Sequence, residues 1–453
     1  MAGGRVMRER IPAKVWTIFT LFGLIGQVAW TIENMYLNVY LYKTVTFDPD
    51  AIATMVAASA IVATVATLTM GALSDRLGRR RIFMWSGYII WGVSIIGFGF
   101  INKEAVQSWF PGFEVVVATV TLIIVLDCLM TFIGSTANDA AFNAWVTDVT
   151  HPTNRGKAEG LLATMPLLGM LVVFGALDGY TQRGEWKAFF FIVGVVVIIA
   201  GILGFFLVQD VPRERAETHY IKDLIYGFLP TTMKKHWLLY TVYMSICILG
   251  IAQQVFLPYF IIYFEFYLGI KDYALLLATI LIFASLISIL GGRLVDRLDK
   301  KGLLIGSIVV YLSGMMAIYL SGVGFATFDL TAQLVTAGAA IIMMGSYLIS
   351  MVVLNSAGRD LLPVSHIGVF SGIRMFFFIM IPMVAGPFIG SAIIKSSDTT
   401  YTDAFGVIQS TPIPDIYLGG TLVGLLAFIP AGIIVKAMKT DRYKNLAQPG
   451  KAP

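Results

Sequence analysis

Long apolar stretches separated by short charged ones set the pattern of this chain from end to end. A helix needs roughly 20 apolar residues, each rising about 1.5 Å, to cross about 30 Å of hydrocarbon. Twelve such stretches are present, in two sets of six. The first set is 15–42, 51–73, 82–101, 114–138, 158–179 and 188–209. The second is 237–264, 273–294, 302–323, 331–355, 367–394 and 416–437. Each is expected to be helical, because hydrocarbon offers no partner to loose backbone groups. Between the sets lies 210–236, the longest polar insert, which carries charge and proline. The expected organisation is all-α: an N-terminal six-helix bundle at 1–209, a cytoplasmic linker at 210–236, and a C-terminal six-helix bundle at 237–453 with a short cytoplasmic tail. Within the linker, IKDLIYGFL at 221–229 reads as a short helix on the membrane surface.

Composition agrees. Of 453 residues, 57% are hydrophobic and 13% charged, against about 25% charged in soluble domains. That excludes a soluble enzyme, a nucleic-acid module and a disordered scaffold, since a soluble surface must be dressed with polar groups. The net charge of +5 matters through its placement. Of 32 Lys and Arg, 25 fall in segments on one side of the alternating spans. Six fall on the other: Lys43, Lys103, Arg183, Lys187, Lys271 and Lys395. Arg374 is left inside a span. This asymmetry predicts a multi-pass protein of the cell membrane with both termini cytoplasmic. Cys128 and Cys247 lie in apolar runs, so no disulfide framework is expected. The basic start, MAGGRVMRERIPAK, precedes an apolar run too long for a signal core, so no cleaved leader is expected. His151, His219, His236 and His366 all fall in or beside cytoplasmic segments, which argues against a histidine relay in mid-membrane.

The two halves repeat each other. GALSDRLGRRR at 71–81 follows the second span, and GGRLVDRLDKKG at 291–302 follows the eighth. Aligning Asp75 with Asp296 also matches Gly71 with Gly292 and Arg76 with Arg297, and sets Arg79 and Arg80 against Lys300 and Lys301. NAWVTDVTHPTNRGKAEG at 143–160 matches NSAGRDLLPVSHIGVFSG at 355–372, with Asp148 opposite Asp360. QVAWTIENMYLNVYL at 27–41 matches QVFLPYFIIYFEFYL at 254–268. Two like halves of six helices in equal orientation describe a duplicated transporter.

Twelve spans, the six-plus-six repeat and GALSDRLGRRR together resemble the major facilitator superfamily, over essentially the whole chain. Within it, Asn143, Asp148 and Arg155 after the fourth span resemble, loosely, sugar transporters of the glycoside–pentoside–hexuronide:cation type. Members of that type carry acidic residues in the second span for the coupling cation, and 51–73 here has none. The resemblance implies that spans one, four, seven and ten line a central cavity. It also implies that the loop after span two latches the cytoplasmic gate. Gly71, Asp75, Arg76, Gly78, Arg79 and Arg80 would form that latch with Asp148, Arg155, Asp296, Arg297 and Arg374. Asp75 is expected at the start of span eleven and Asp296 at the start of span five, each near a positive helix end.

Charges inside spans are costly and mark a pathway or a partner. Asp127 is near the middle of span four, and its counterpart in span ten is Ala339, so the acid belongs to the first half alone. On a wheel of about 100° per residue, Asp127, Thr131, Gly134, Asn138 and Trp145 share one face. In span one, Gln27, Thr31, Asn34 and Asn38 share another, flanked by Trp30, with Glu33 about 100° round from Asn34. Amides bond hydroxyls, and an indole packs on the C–H face of a sugar ring. Asp127 and Glu33 are thus the candidates for proton or cation coupling. Gln27, Trp30, Asn34, Asn38 and Asn138 are the candidates for solute contact, joined by Gln253, Gln254, Tyr259, Tyr263 and Tyr347 of the second half. Pro258 is expected to bend span seven. Arg374 either meets an anionic solute or pairs with Asp139 or Asp360.

The expected function is secondary transport of a small polar solute, a sugar or glycoside, by alternating access coupled to H+ or Na+. No further cofactor is expected, since no GxxxxGK[ST] loop or Cys/His cluster occurs. The expected partners are the solute and the lipid bilayer, without nucleic acid, and the chain is expected to be monomeric. Proton-driven export of amphipathic compounds is the alternative within transport, favoured by 20 methionines. The Gly-Pro dipeptide at 386–387 lies in span eleven rather than span five, where drug antiporters carry one. A non-transporting membrane sensor or assembly partner is the alternative from another class.

Overall fold

A computed structural model describes residues 11–150, 154–210, 226–270, 273–295, 300–325, 329–363, 367–397, 400–402 and 408–439. Among these, eleven helices are long and apolar enough to cross a membrane. They are Ala13–Thr44, Pro49–Ser74, Arg80–Phe98, Val115–Val149, Gly160–Gln182, Trp186–Leu207, Trp237–Tyr267, Lys300–Gly324, Leu330–Asp360, Gly372–Lys395 and Asp415–Met438. The helix Tyr273–Val295, of 23 residues, stands where the eighth span was expected. Spans one to twelve below refer to these in chain order. A small antiparallel ribbon, Thr400–Thr402 with Ile408–Ser410, lies between spans eleven and twelve and had no signature in the apolar pattern. The surface helix expected at 221–229 falls mostly outside the described residues.

Large apolar side chains are exposed along the spans, among them Val125, Phe206, Leu275, Val323 and Ile429. Such a surface suits hydrocarbon and not water. Two compact units result, one of Met1–Tyr40 with Val62–Thr218, the other of Leu41–Ile61 with His219–Pro453. Within the first, span three packs along span six and span one against span five. Within the second, span nine packs along spans ten and twelve, and span seven against span eleven. The repeat is therefore one of packing as well as of residues. In the first unit, Gly169 of span five lies so close to span one that a Cβ on it would stand 2.9 Å from Gln27 Cβ. In the second, Gly386 of span eleven meets Gln254 in the same way.

Among the described residues six spans depart from α geometry, five of them at π turns and span twelve at a turn between Leu425 and Phe428. Wider π turns occur at Ile32–Tyr36, Ser135–Phe142, Val173–Leu177, Tyr263–Tyr267 and Phe376–Met380. Spans one and seven share this feature, as do five and eleven, whereas span four has it and span ten is a continuous α-helix. Span seven also breaks at a short tight turn, Leu257–Tyr259, built on Pro258, which has no N–H for the helix ladder. π turns interrupt a helix at a cost and gather at functional sites.

Candidate functional site

The buried acids of the first unit lie in and beside two π turns. Glu33 lies in Ile32–Tyr36 of span one. Thr131 of span four donates to its Oε1 at 2.8 Å. Asp127, one turn before Thr131, and Asp139, in the π turn that follows, act on the same carboxyl through space. Glu33 is 7% exposed and Asp127 1%. The second oxygen of Glu33, Oε2, is buried without a hydrogen-bond partner among the described residues. Acids buried inside spans are costly and mark a pathway or a partner.

A third buried acid shows the opposite treatment. Asp178 of span five receives hydrogen bonds from Tyr36 (2.9 Å), Thr181 (3.2 Å) and Gln182 (3.2 Å). It is saturated, and it ties span five to span one. In sequence it stands at the end of the apolar run 158–179, where an acid carries no signal.

The solute candidates of this unit separate into two groups. Asn34 is exposed and Gln27 and Trp30 are half-buried, so these three reach open space. Trp30 sets its indole 5.0 Å from that of Trp91 on span three, and Tyr88 lies 5.4 Å from Trp91. Trp91 rests on Gly134, where a Cβ would come within 2.7 Å of its ring. Neither Trp91 nor Tyr88 was singled out in sequence, because span three had no polar stripe. Asn138 and Asn38 are placed otherwise than expected. Asn138 is buried and donates to Tyr88 Oη at 2.6 Å, while Tyr88 donates to the Phe22 carbonyl at 2.8 Å. Asn38 is fully buried and donates to the Asn34 carbonyl at 3.0 Å. Asn138 thus ties span four to span three, while Asn38 bonds only within its own helix and its Oδ1 is buried without a partner among the described residues. The wheel misplaced them because it runs at a constant angle through two π turns. Trp145, also on that face, is buried and donates to the Gln209 carbonyl at 2.9 Å, which fastens span four to the end of span six.

In the second unit, Tyr259 does not offer its hydroxyl to a solute. It lies 2.9 Å from the Pro387 carbonyl and 3.1 Å from that of Pro49. Tyr263 is buried, stacked 5.3 Å from Tyr267 and edge-on to Tyr417 at 5.2 Å, and its hydroxyl has no partner among the described residues. Gln253 is buried with Oε1 unpartnered among them, Gln254 is half-buried, and Tyr347 is half-buried 5.3 Å from Tyr311. Ion pairs at the span ends, which the sequence reading used only as topology marks, also belong here. Lys43 meets Glu265 at 2.6 Å, and Lys395 meets Asp48 at 3.2 Å and also Asp50, which accepts from Ser391.

The loop after span two turns on Gly78, whose φ of +62° few other residues adopt. The turn sends Arg80 back, buried, onto Asp148 (3.4 Å) and the Ser74 hydroxyl. Gly71 supplies the carbonyl that Ser74 Oγ holds at 2.9 Å. Arg76 and Arg79 are exposed, and Arg81 binds the end of span six at the Phe205 carbonyl and Asp210. In the second unit Lys300 meets Asp360 at 3.3 Å. The second unit thus also sets a basic residue of this loop on the acid at the end of its fourth helix. The side chains of Asp75 and Arg155, and all of Asp296 and Arg297, lie outside the described residues. Arg374 donates to Asn355, whereas Asp360 is held by Lys300.

A family model for the Major Facilitator Superfamily matches residues 17–387. The chain belongs to the major facilitator superfamily. It is a membrane transporter of multi-pass helical architecture and not an enzyme. Solved superfamily structures share its fold at low identity. A bacterial homolog of the human lysosomal transporter Spinster, inward-facing and occupied, is 14% identical over 95% of this chain and 98% of its own, with a TM-score of 0.64. A point mutant of the nucleoside transporter NupG is 11% identical over 93% and 99%, TM-score 0.69. A D-xylose–proton symporter is 15% identical over 92% and 96%, TM-score 0.62. No curated protein matches the chain in sequence.

The Arg80–Asp148 pair links the loop after span two to the end of span four, where the latch was expected. Asp148→Asn is expected to slow transport by about tenfold, the factor that about 1.4 kcal/mol in a conformational equilibrium gives. Membrane insertion should be unchanged. Wild-type uptake in this variant would reduce the pair to an anchor.

Proposed function

We propose that the protein is a secondary active transporter that moves a small polar solute, a sugar or glycoside, coupled to H+ or Na+. It would act as a monomer in the cytoplasmic membrane, with both termini inside. The observation that carries this reading is the buried group of Glu33, Asp127 and Thr131, in which one Glu33 oxygen has no hydrogen-bond partner among the described residues. A structural acid would be saturated, as Asp178 is. Coupling requires an acid that gains and loses its proton or cation as the protein changes state.

The solute class rests on what stands beside that group. Asn34, Gln27 and Trp30 reach open space, with Trp91 behind them. Amide and indole together suit hydroxyls on a carbon ring. The same fold carries xylose with protons in one of the similar structures and nucleosides in another. The test is uptake into proteoliposomes under an imposed proton or sodium gradient. The panel holds pentoses, hexoses, glycosides, nucleosides and amphipathic dyes. Gradient-driven uptake of a sugar-containing solute supports the reading. Efflux of dyes alone supports an exporter, and no flux of any compound supports a sensor.

A further inference from the structure

Arg374 stands seven residues after the start of the described helix at Ile367, about 10 Å along it. Its Nη2 donates to Asn355 Oδ1 of span ten at 3.0 Å, and its guanidinium lies 4.9 Å from the ring centre of Phe378. Both partners are neutral. Among the described residues of the second unit no carboxylate forms an ion pair with Arg374. The Tyr243 phenol acts on it through space and, less strongly, so does Arg359, a second cation. Asp360, next to Arg359 in the chain, is engaged by Lys300. A guanidinium is permanently charged and costly to hold in a span without a counter-charge. Asn355 takes one of its five N–H donors. The remaining planar fork has the geometry of a carboxylate or phosphate. The next turn of this helix is the π turn Phe376–Met380, a type of distortion that gathers at binding sites.

We infer that the solute is acidic, carrying a carboxylate or phosphate, and that Arg374 is the residue that recognises that charge, with Asn355 holding the guanidinium in place. This rests on the reading of the protein as a transporter of a small polar solute and narrows the solute class. A phospholipid phosphate offers the same chemistry from another source, so the test separates the two.

The full chain is reconstituted in phosphatidylcholine nanodiscs, and thermal stabilisation is measured with glucose, glucuronate and glucose 6-phosphate. At least one of the two acids should stabilise the wild type at concentrations about tenfold or more below those needed for glucose. Arg374→Gln should lose that preference and Arg374→Lys should keep part of it, with both variants eluting as the wild type does. Equal response to glucose and the acids, no response to either acid, or an unchanged preference in Arg374→Gln overturns the inference. So does stabilisation that appears only when phosphatidylglycerol is added to the nanodiscs and vanishes in Arg374→Gln, since that assigns the site to lipid. An acid preference unchanged in Arg374→Gln, with gradient-driven glucose uptake continuing, ends this inference and leaves the transporter reading intact. Loss of all gradient-driven uptake in the wild type ends the transporter reading instead.

Discussion

Glu33→Gln should abolish accumulation against a gradient while leaving solute exchange across the membrane. Each unit of pH difference sustains about tenfold accumulation for a one-proton coupling, because it is worth about 1.4 kcal/mol. In the variant the inside-to-outside ratio should fall to about one at any imposed gradient. Counterflow, which needs binding and alternating access but no net ion movement, should persist. The amide keeps the shape of the carboxyl and an oxygen for Thr131, whose bond to Glu33 is 2.8 Å, but it cannot carry the proton or cation. Asp127→Asn should behave alike. The double variant should be no worse than either single one if the two acids work as a unit. Accumulation in Glu33→Gln equal to wild type would show that the ion travels elsewhere.

The second large effect is on folding. Spans three and six touch backbone to backbone at Gly92 and Gly194. A Cβ on Gly194 would stand 2.5 Å from the Gly92 carbonyl oxygen, and one on Gly92 would stand 2.9 Å from the Ile198 nitrogen. Backbone atoms cannot turn aside as a side chain can, so the helices must separate. Overpacking of that kind costs about 1–3 kcal/mol for a small addition and more for a branched one. Gly194→Val is expected to lower the thermal midpoint by several degrees and to erode the monodisperse peak on size exclusion. Gly306→Ala in span nine, where a Cβ meets nothing within 4 Å, should leave both unchanged or improve them, since alanine favours helix. Equal behaviour of the two variants would mean that the close contact is not what holds the first unit together.

The spans themselves were legible because hydrocarbon imposes length and apolarity on every one of them. The repeat was legible too, and it reappears in three dimensions as Gly169 on Gln27 and Gly386 on Gln254. Side-chain direction was less so. Asn38 and Asn138 look like cavity residues on a uniform wheel, yet they lie beyond or within turns that are not α. Glu33 looks peripheral on that wheel and in the fold meets Thr131. Nothing in residue types alone marks a π turn. Long-range pairing was the other gap. Sequence could name the arginines after span two but not that Arg80 is the one turned inward by Gly78. Asp48, Asp50 and Lys395 stand far apart in the chain, and their meeting needed the fold. Residues 41–61 likewise pack with the second unit, although the chain reaches them before it has left the first.

The central claim is that the acids around Glu33 carry a cation with the solute. It is tested most directly by adding a transported solute to weakly buffered proteoliposomes without an imposed gradient. External pH and radioactive sodium influx are recorded together. In the wild type, solute entry should bring in one of the two cations, seen as external alkalinisation or as sodium uptake. In Glu33→Gln it should bring in neither. Solute entry without either cation in the wild type, or the same cation influx in the variant, would contradict the account.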